Sequence, residues 1–134
     1  MEVTVHHLGD VKFEAEARGH RVICDQPADN GGSDEGMTPP EFLLTALATC
    51  AGFYAAHYLK ARSLSAKGLQ VKVTAEKATQ PARLDRFHIE VVVPDLEGRH
   101  EEGVLRAVKL CLVHNTLLHA PSIETVVRVE AHTA

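Results

Sequence analysis

Four things are scarce or missing in this 134-residue chain, and each removes a class of function. There is no uninterrupted apolar run of the ~18 residues that mark a membrane span, so none is expected. There is no block of Lys and Arg, and the formal net charge is −4. A nucleic-acid binder needs a basic field to meet phosphate, so the balance argues against that class. The start, MEVTVHHLGDVKFEAEA, alternates and carries acids early, unlike the basic start and apolar run of a signal peptide. A cytoplasmic protein is therefore expected. Cysteine is the fourth scarcity: only Cys24, Cys50 and Cys111. Cytosolic thiols are kept reduced, so these are not a disulfide framework. They are either inert packing residues or reactive thiols. The chain also lacks a phosphate loop, G-x-G-x-x-G and G-x-S-x-G, and no cofactor is expected.

What is present has the balance of a soluble globular protein, 45% hydrophobic and 24% charged, and one domain is expected over residues 1–134. Residues 3–8 and 11–17 read as strands around Gly9-Asp10. In the second, Val11, Phe13, Ala15 and Ala17 alternate with Lys12, Glu14 and Glu16, a period of two. A tight turn at residues 18–20 leads to a third short strand, 21–24. Residues 26–37 are rich in Gly, Asp, Asn and Ser without apolar periodicity, and read as a loop. A loop of that length inside a compact domain is often functional.

The loop ends in a strong helix start. Thr38 is the expected N-cap, Pro39 takes the first helical position, and Glu41 completes a capping box. The helix runs to about residue 62 and is apolar nearly all round until Lys60. Such a helix must be buried, within the domain or against a partner chain, and a homodimer is the natural inference. Residues 69–77 and 86–93 read as strands joined by TQPARLD. A second helix is expected from about 100 to 112, with Val104, Leu105, Val108, Cys111 and Leu112 at helical spacing. A turn, a short helical piece ended by Pro121 and a last strand over 123–130 follow. The order β-β-β-α-β-β-α-β makes the fold α+β.

Cys50 lies mid-helix among Ala46, Ala48, Ala51 and Gly52. It reads either as a buried structural cysteine or as a nucleophile that must be ionised to act. The helix N-terminus is too far off to assist, because the dipole effect fades within a turn. Cys111 is open to the same two readings, on the inner stripe of the second helix with Val104 and Val108. Cys24 reads as packing. Glu41 has its capping role; as a helper of Cys50 it lies nine residues away, on the opposite helical face. His57 follows Cys50 by two turns, about 10 Å along the axis, and a buried, hydrogen-bonded histidine is expected. Cys111, His114 and His119 form half a zinc pattern with no second pair to complete it, so no metal is expected. His6 and His7 are neighbours on a strand and point to opposite faces.

Taken together, GGSDEGMTPPEFLLTALATC and KLCLVHNTLLHAPSIET resemble the two cysteine regions of the OsmC/Ohr family, and the element order fits across nearly the whole chain. The resemblance implies an intertwined homodimer, with antiparallel sheets wrapped around central helices and sites at the subunit interface. It implies reduction of organic or other hydroperoxides, with Cys50 peroxidatic, Cys111 resolving and an external dithiol as reductant. In the organic-hydroperoxide-resistance branch a Glu ten residues before the first cysteine pairs with an Arg. Here those positions are Pro40 and Ala17, with Glu41 and Arg18 each one step away. The chain resembles the OsmC-like branch without that pair. Glu41, Arg18 and Arg21 remain the supporting candidates, the arginines from the same or the partner subunit. The alternative is a non-catalytic dimer that binds or senses a small ligand, with packing cysteines.

Overall fold

Alternating side chains build the first sheet. β1 (Thr4–Gly9), β2 (Lys12–Ala17) and β3 (His20–Cys24) pair antiparallel in the order β1-β2-β3. Val5 pairs with Ala15 and Ala15 with Val22, while Phe13 lies opposite both His7 and Cys24. One face therefore carries Val5, Phe13, Ala15 and Val22, and the other Glu14, Glu16 and Arg21. At the two hairpin turns Asp10 and Arg18 adopt positive φ, 47° and 52°, beside Gly9 and Gly19. The computed structural model describes residues 1–131. Among these, no helix or strand outside this sheet packs extensively on it. Val5 and Val22 stay exposed, and Phe13 is 36% exposed.

The polar loop after β3 is fastened at one point. Asp25 is buried, and its carboxylate accepts backbone N–H bonds from Gln26 at 2.8 Å and from Ser33 and Glu35 at 3.1 Å each. Gly32 and Gly36 are needed for the closeness of this wrap, since a Cβ there would run into the carbonyls of Gln26 and Ile23. Lys12 pairs with Glu35 across the outside. The loop delivers the chain to α1 (Pro39–Ala61), where Thr38 and Glu41 form the expected capping box.

Only one stripe of α1 is buried: Leu47, Ala51, Ala55 and Leu59, each four residues apart. That stripe lies against β4 (Gln70–Ala78), α2 (Glu101–Val108) and, near the thiols, α3 (Leu112–Leu118). β4 pairs antiparallel with β5 (Arg83–Val92). A register shift near Thr74 and Glu76 explains why the half-buried residues of β5 change phase between Leu84 and Phe87. Ala51, Ala55, Leu59, Val104 and Val108 form the core, with Val71, Ile89 and Val91 packed on it. A Cβ at Gly103 would strike the Tyr58 hydroxyl, so this glycine sets how closely α2 approaches α1. The Tyr58 hydroxyl bonds His100 Nδ1 at 3.1 Å.

The first five expected strands and the long helix are found within a few residues of their expected ends, and the fold is α+β with antiparallel sheets. Several expectations need correction. α1 is long and apolar enough in composition to cross a membrane, and in the fold it packs on β4 and α2. Its burial within this chain is one-sided: Ala46, Thr49, Phe53 and His57 share an exposed face, with Phe53 at 65%. His57 is exposed and stacked on Phe53 at 6.3 Å rather than buried and hydrogen-bonded. The second helix stops at Val108, where Lys109, Leu110 and Cys111 turn back onto Leu105, Ala107 and Val108. Cys111 is therefore at a junction and not on a helical stripe. Among the described residues, 123–130 pair with no strand, and Ile123, Val126, Val127 and Val129 are exposed.

Candidate functional site

Helix α1 places Cys50 three residues after Leu47 and next to Ala51, on the flank of its buried stripe, where the thiol is half-buried. Cys111 is completely buried. The packing of α3 on α1 brings the two thiols near enough for Cys50 to act on the titration of Cys111, and both are free. A separation of 61 positions gave no indication of this. Cys24 is also free, half-buried at the end of β3, where its backbone bridges to Met37.

The junction gives Cys111 a second role. With φ −52° and ψ 126° it leaves the helical region and becomes the N-cap of α3, and its Sγ accepts the His114 N–H at 3.4 Å. Burial pushes the Cys111 thiol above its usual range, and the neighbouring Cys50 thiol adds to this. The N–H groups of His114 and Val113 pull the other way, because they bond better to a thiolate. Cys111 is thus the more protected sulfur, and Cys50 the more approachable one.

The supporting candidates are not gathered around the thiols within this chain. Glu41 is bound to Thr38, whose N–H and hydroxyl each lie 2.9 Å from its carboxylate. These bonds hold the Glu41 carboxyl below its usual range, with the backbone bond the larger cause. Arg18 sits at the exposed β2–β3 turn. Arg21 is engaged by Glu16 at 3.7 Å and Glu14 at 3.9 Å. Their sheet does not pack on α1 here. His119 bonds the Asn115 carbonyl at 2.9 Å, away from any role with Cys111. Among the described residues no group of three His, Cys, Asp or Glu side chains is placed to hold a metal.

His114 was passed over in the sequence except as half of a zinc pattern. Its Nδ1 is buried without a partner, and its ring lines two cavities. The C-x-x-H spacing was the available signal: it puts His114 at the third position of a helix capped by Cys111.

The whole fold is shared with solved structures. A protein of Psychrobacter arcticus 273-4, named for osmotic stress induction and a detoxification response, is 24% identical with a TM-score of 0.78, covering 85% of each chain. An OsmC-like protein of Mycoplasma pneumoniae is 25% identical with a TM-score of 0.71, over 89% of this chain and 87% of that one. An organic hydroperoxide resistance protein of Elizabethkingia anophelis is 14% identical with a TM-score of 0.59, over 85% of this chain and 84% of that one. None of the curated proteins matches the sequence. Residues 32–126, from the glycine loop past both site cysteines, match the family described as OsmC-like protein; the chain belongs to that family.

Proposed function

We propose that the protein is a cytoplasmic, cofactor-free thiol peroxidase that reduces organic or other hydroperoxides, with Cys50 as the attacking and Cys111 as the resolving cysteine. The observation that carries the reading is the pairing of two free thiols, one approachable and one sealed, on elements far apart in sequence. The Cys50 thiolate attacks the terminal oxygen of ROOH. The O–O bond breaks, RO⁻ leaves and takes a proton as ROH, and Cys50 becomes a sulfenic acid. Cys111 sulfur then attacks Cys50 sulfur, an S–S bond forms, and hydroxide leaves as water after taking the Cys111 proton. An external dithiol reduces the disulfide by two successive exchanges.

The working unit in this reading is a homodimer. Three apolar surfaces support it: the Ala46–Thr49–Phe53 side of α1, the Val5–Phe13–Val22 face of the first sheet, and the unpaired segment 123–130. In this reading Arg18 or Arg21, from the same or the partner subunit, supplies positive charge to the thiol site.

The test is a peptide map after one equivalent of cumene hydroperoxide is added to reduced protein. A rapid Cys50–Cys111 disulfide is expected, with over-oxidised Cys50 in its place when Cys111 is Ser. Two persistent free thiols would sink the proposal. They would favour a second reading, a non-catalytic ligand-binding dimer, which the engagement of Glu41 and Arg21 away from the thiols supports.

A further inference from the structure

Nδ1 of His114 is covered by protein and has no hydrogen-bond partner. Such atoms are costly and uncommon in native folds, so this one calls for a reason. The residue is not remote from the thiols, since its own N–H caps the Cys111 sulfur. Its ring stands between two cavities. One, of about 610 Å³, lies between β5 and α2 and touches Ile89 and Val108. The other, of about 560 Å³, is bordered by Leu43, Leu47 and Leu117. Phe87 lines both. Leu43 and Leu47 precede Cys50 by seven and three residues, which places all three on one side of α1. The second cavity therefore opens on the same side of α1 as Cys50, about one turn nearer the helix start.

The covered nitrogen also fixes the tautomer. Buried N–H groups without an acceptor are rarer than under-used acceptors, so the proton belongs on Nε2 and the lone pair on Nδ1. With Nδ1 covered, the edge of the ring left to the cavities is the one that carries Nε2. The walls of the second cavity are mainly leucine with Phe87 and Ile89, and Arg83 and Asp85 stand at its border. A molecule that suits this space is apolar in body and carries one accepting oxygen within reach of the His114 ring.

We propose that His114 is a substrate-binding residue of the thiol site: Nε2–H donates a hydrogen bond to the oxygen of an apolar hydroperoxide lying along α1 and so points its O–O bond at Cys50. This rests on the peroxidase reading and adds a residue to it. The hydrogen bond falls on the oxygen that carries the organic group, the one that leaves with the electron pair.

Two measurements test it. In Cys50→Ser protein, which cannot be oxidised at that position, ¹⁵N imidazole spectra are followed as cumene hydroperoxide is added. The His114 Nε2 resonance is expected to move saturably. In protein with both cysteines, His114→Phe is expected to slow Cys50 oxidation roughly tenfold, and His114→Gln, which keeps an N–H donor at similar reach, to stay within about threefold of the parent. An unmoved resonance overturns the proposal, as does a Phe variant that reacts at the parent rate or a Gln variant that loses as much as Phe. If the parent protein forms no disulfide at all, the peroxidase reading fails by itself, and the spectra still decide whether His114 holds the hydroperoxide.

Discussion

The two sheets of this chain are made from similar strands and meet different fates. In β4 and β5, Val71, Ile89 and Val91 alternate with Lys72, His88 and Glu90; α1 lies across the apolar side, and Val104 and Val108 of α2 join the same core. In β1–β3, Val5, Phe13, Ala15 and Val22 make an apolar side on which no other helix or strand packs extensively among the described residues. Alternation decides that a segment is a strand and which way each side chain points. It does not decide what lies on top. The second sheet is covered because α1 precedes it and α2 follows it in sequence. The first is followed by a polar loop bound up with its own carboxylate.

The comparison breaks most sharply under core truncation. Leu59→Ala removes a fully buried side chain at the centre of the covered region and is expected to cost about 2–5 kcal/mol in urea unfolding. Phe13→Ala addresses the uncovered sheet. If a second copy covers that face, the substitution weakens association by about 1.5–3 kcal/mol per chain, read by sedimentation across a dilution series. An unchanged association constant would leave the face open in solution. The smallest effect is confined to acid. N–H bonds from Gln26, then Glu35 and Ser33, lower the pKa of Asp25. Its contribution is complete above the unfolded value near 3.8 and is lost as pH falls through the lower folded value. Asp25→Asn is expected to flatten the stability curve of the parent over that acid range. The same acid slope in both proteins would assign it to other carboxylates.

Much of this fold was legible because it is local. The capping box at Thr38 and Glu41, the alternation in β2 and the glycine loop announce themselves within a few residues. The misses share a physical cause. Val104, Val108 and Cys111 follow helical spacing, yet the helix stops three residues before the cysteine, because a capped turn satisfies the same side-chain pattern while freeing Cys111 to start α3. The segment 123–130 has strand-like alternation but lacks an edge to bond to in its own chain. His57 shares roughly the side of α1 that bears Cys50, but two turns further along, that side is left open to solvent. At the site, the two cysteines were visible as candidates, whereas their meeting depends on how α3 docks on α1. His114 was visible as a residue, but its orphaned nitrogen appears only once the ring is enclosed.

The clamp at Asp25 has an evolutionary consequence. Its oxygens grip main-chain N–H groups, which every residue except proline supplies, so Ser33 can change identity freely while the loop keeps its path. Lengthening the loop by one residue would move the gripped N–H groups, and a side chain at Gly32 or Gly36 would collide with carbonyls. Relatives that retain this clamp are therefore expected to vary in letters between these glycines but not in spacing, a constraint invisible to a comparison that scores identity alone.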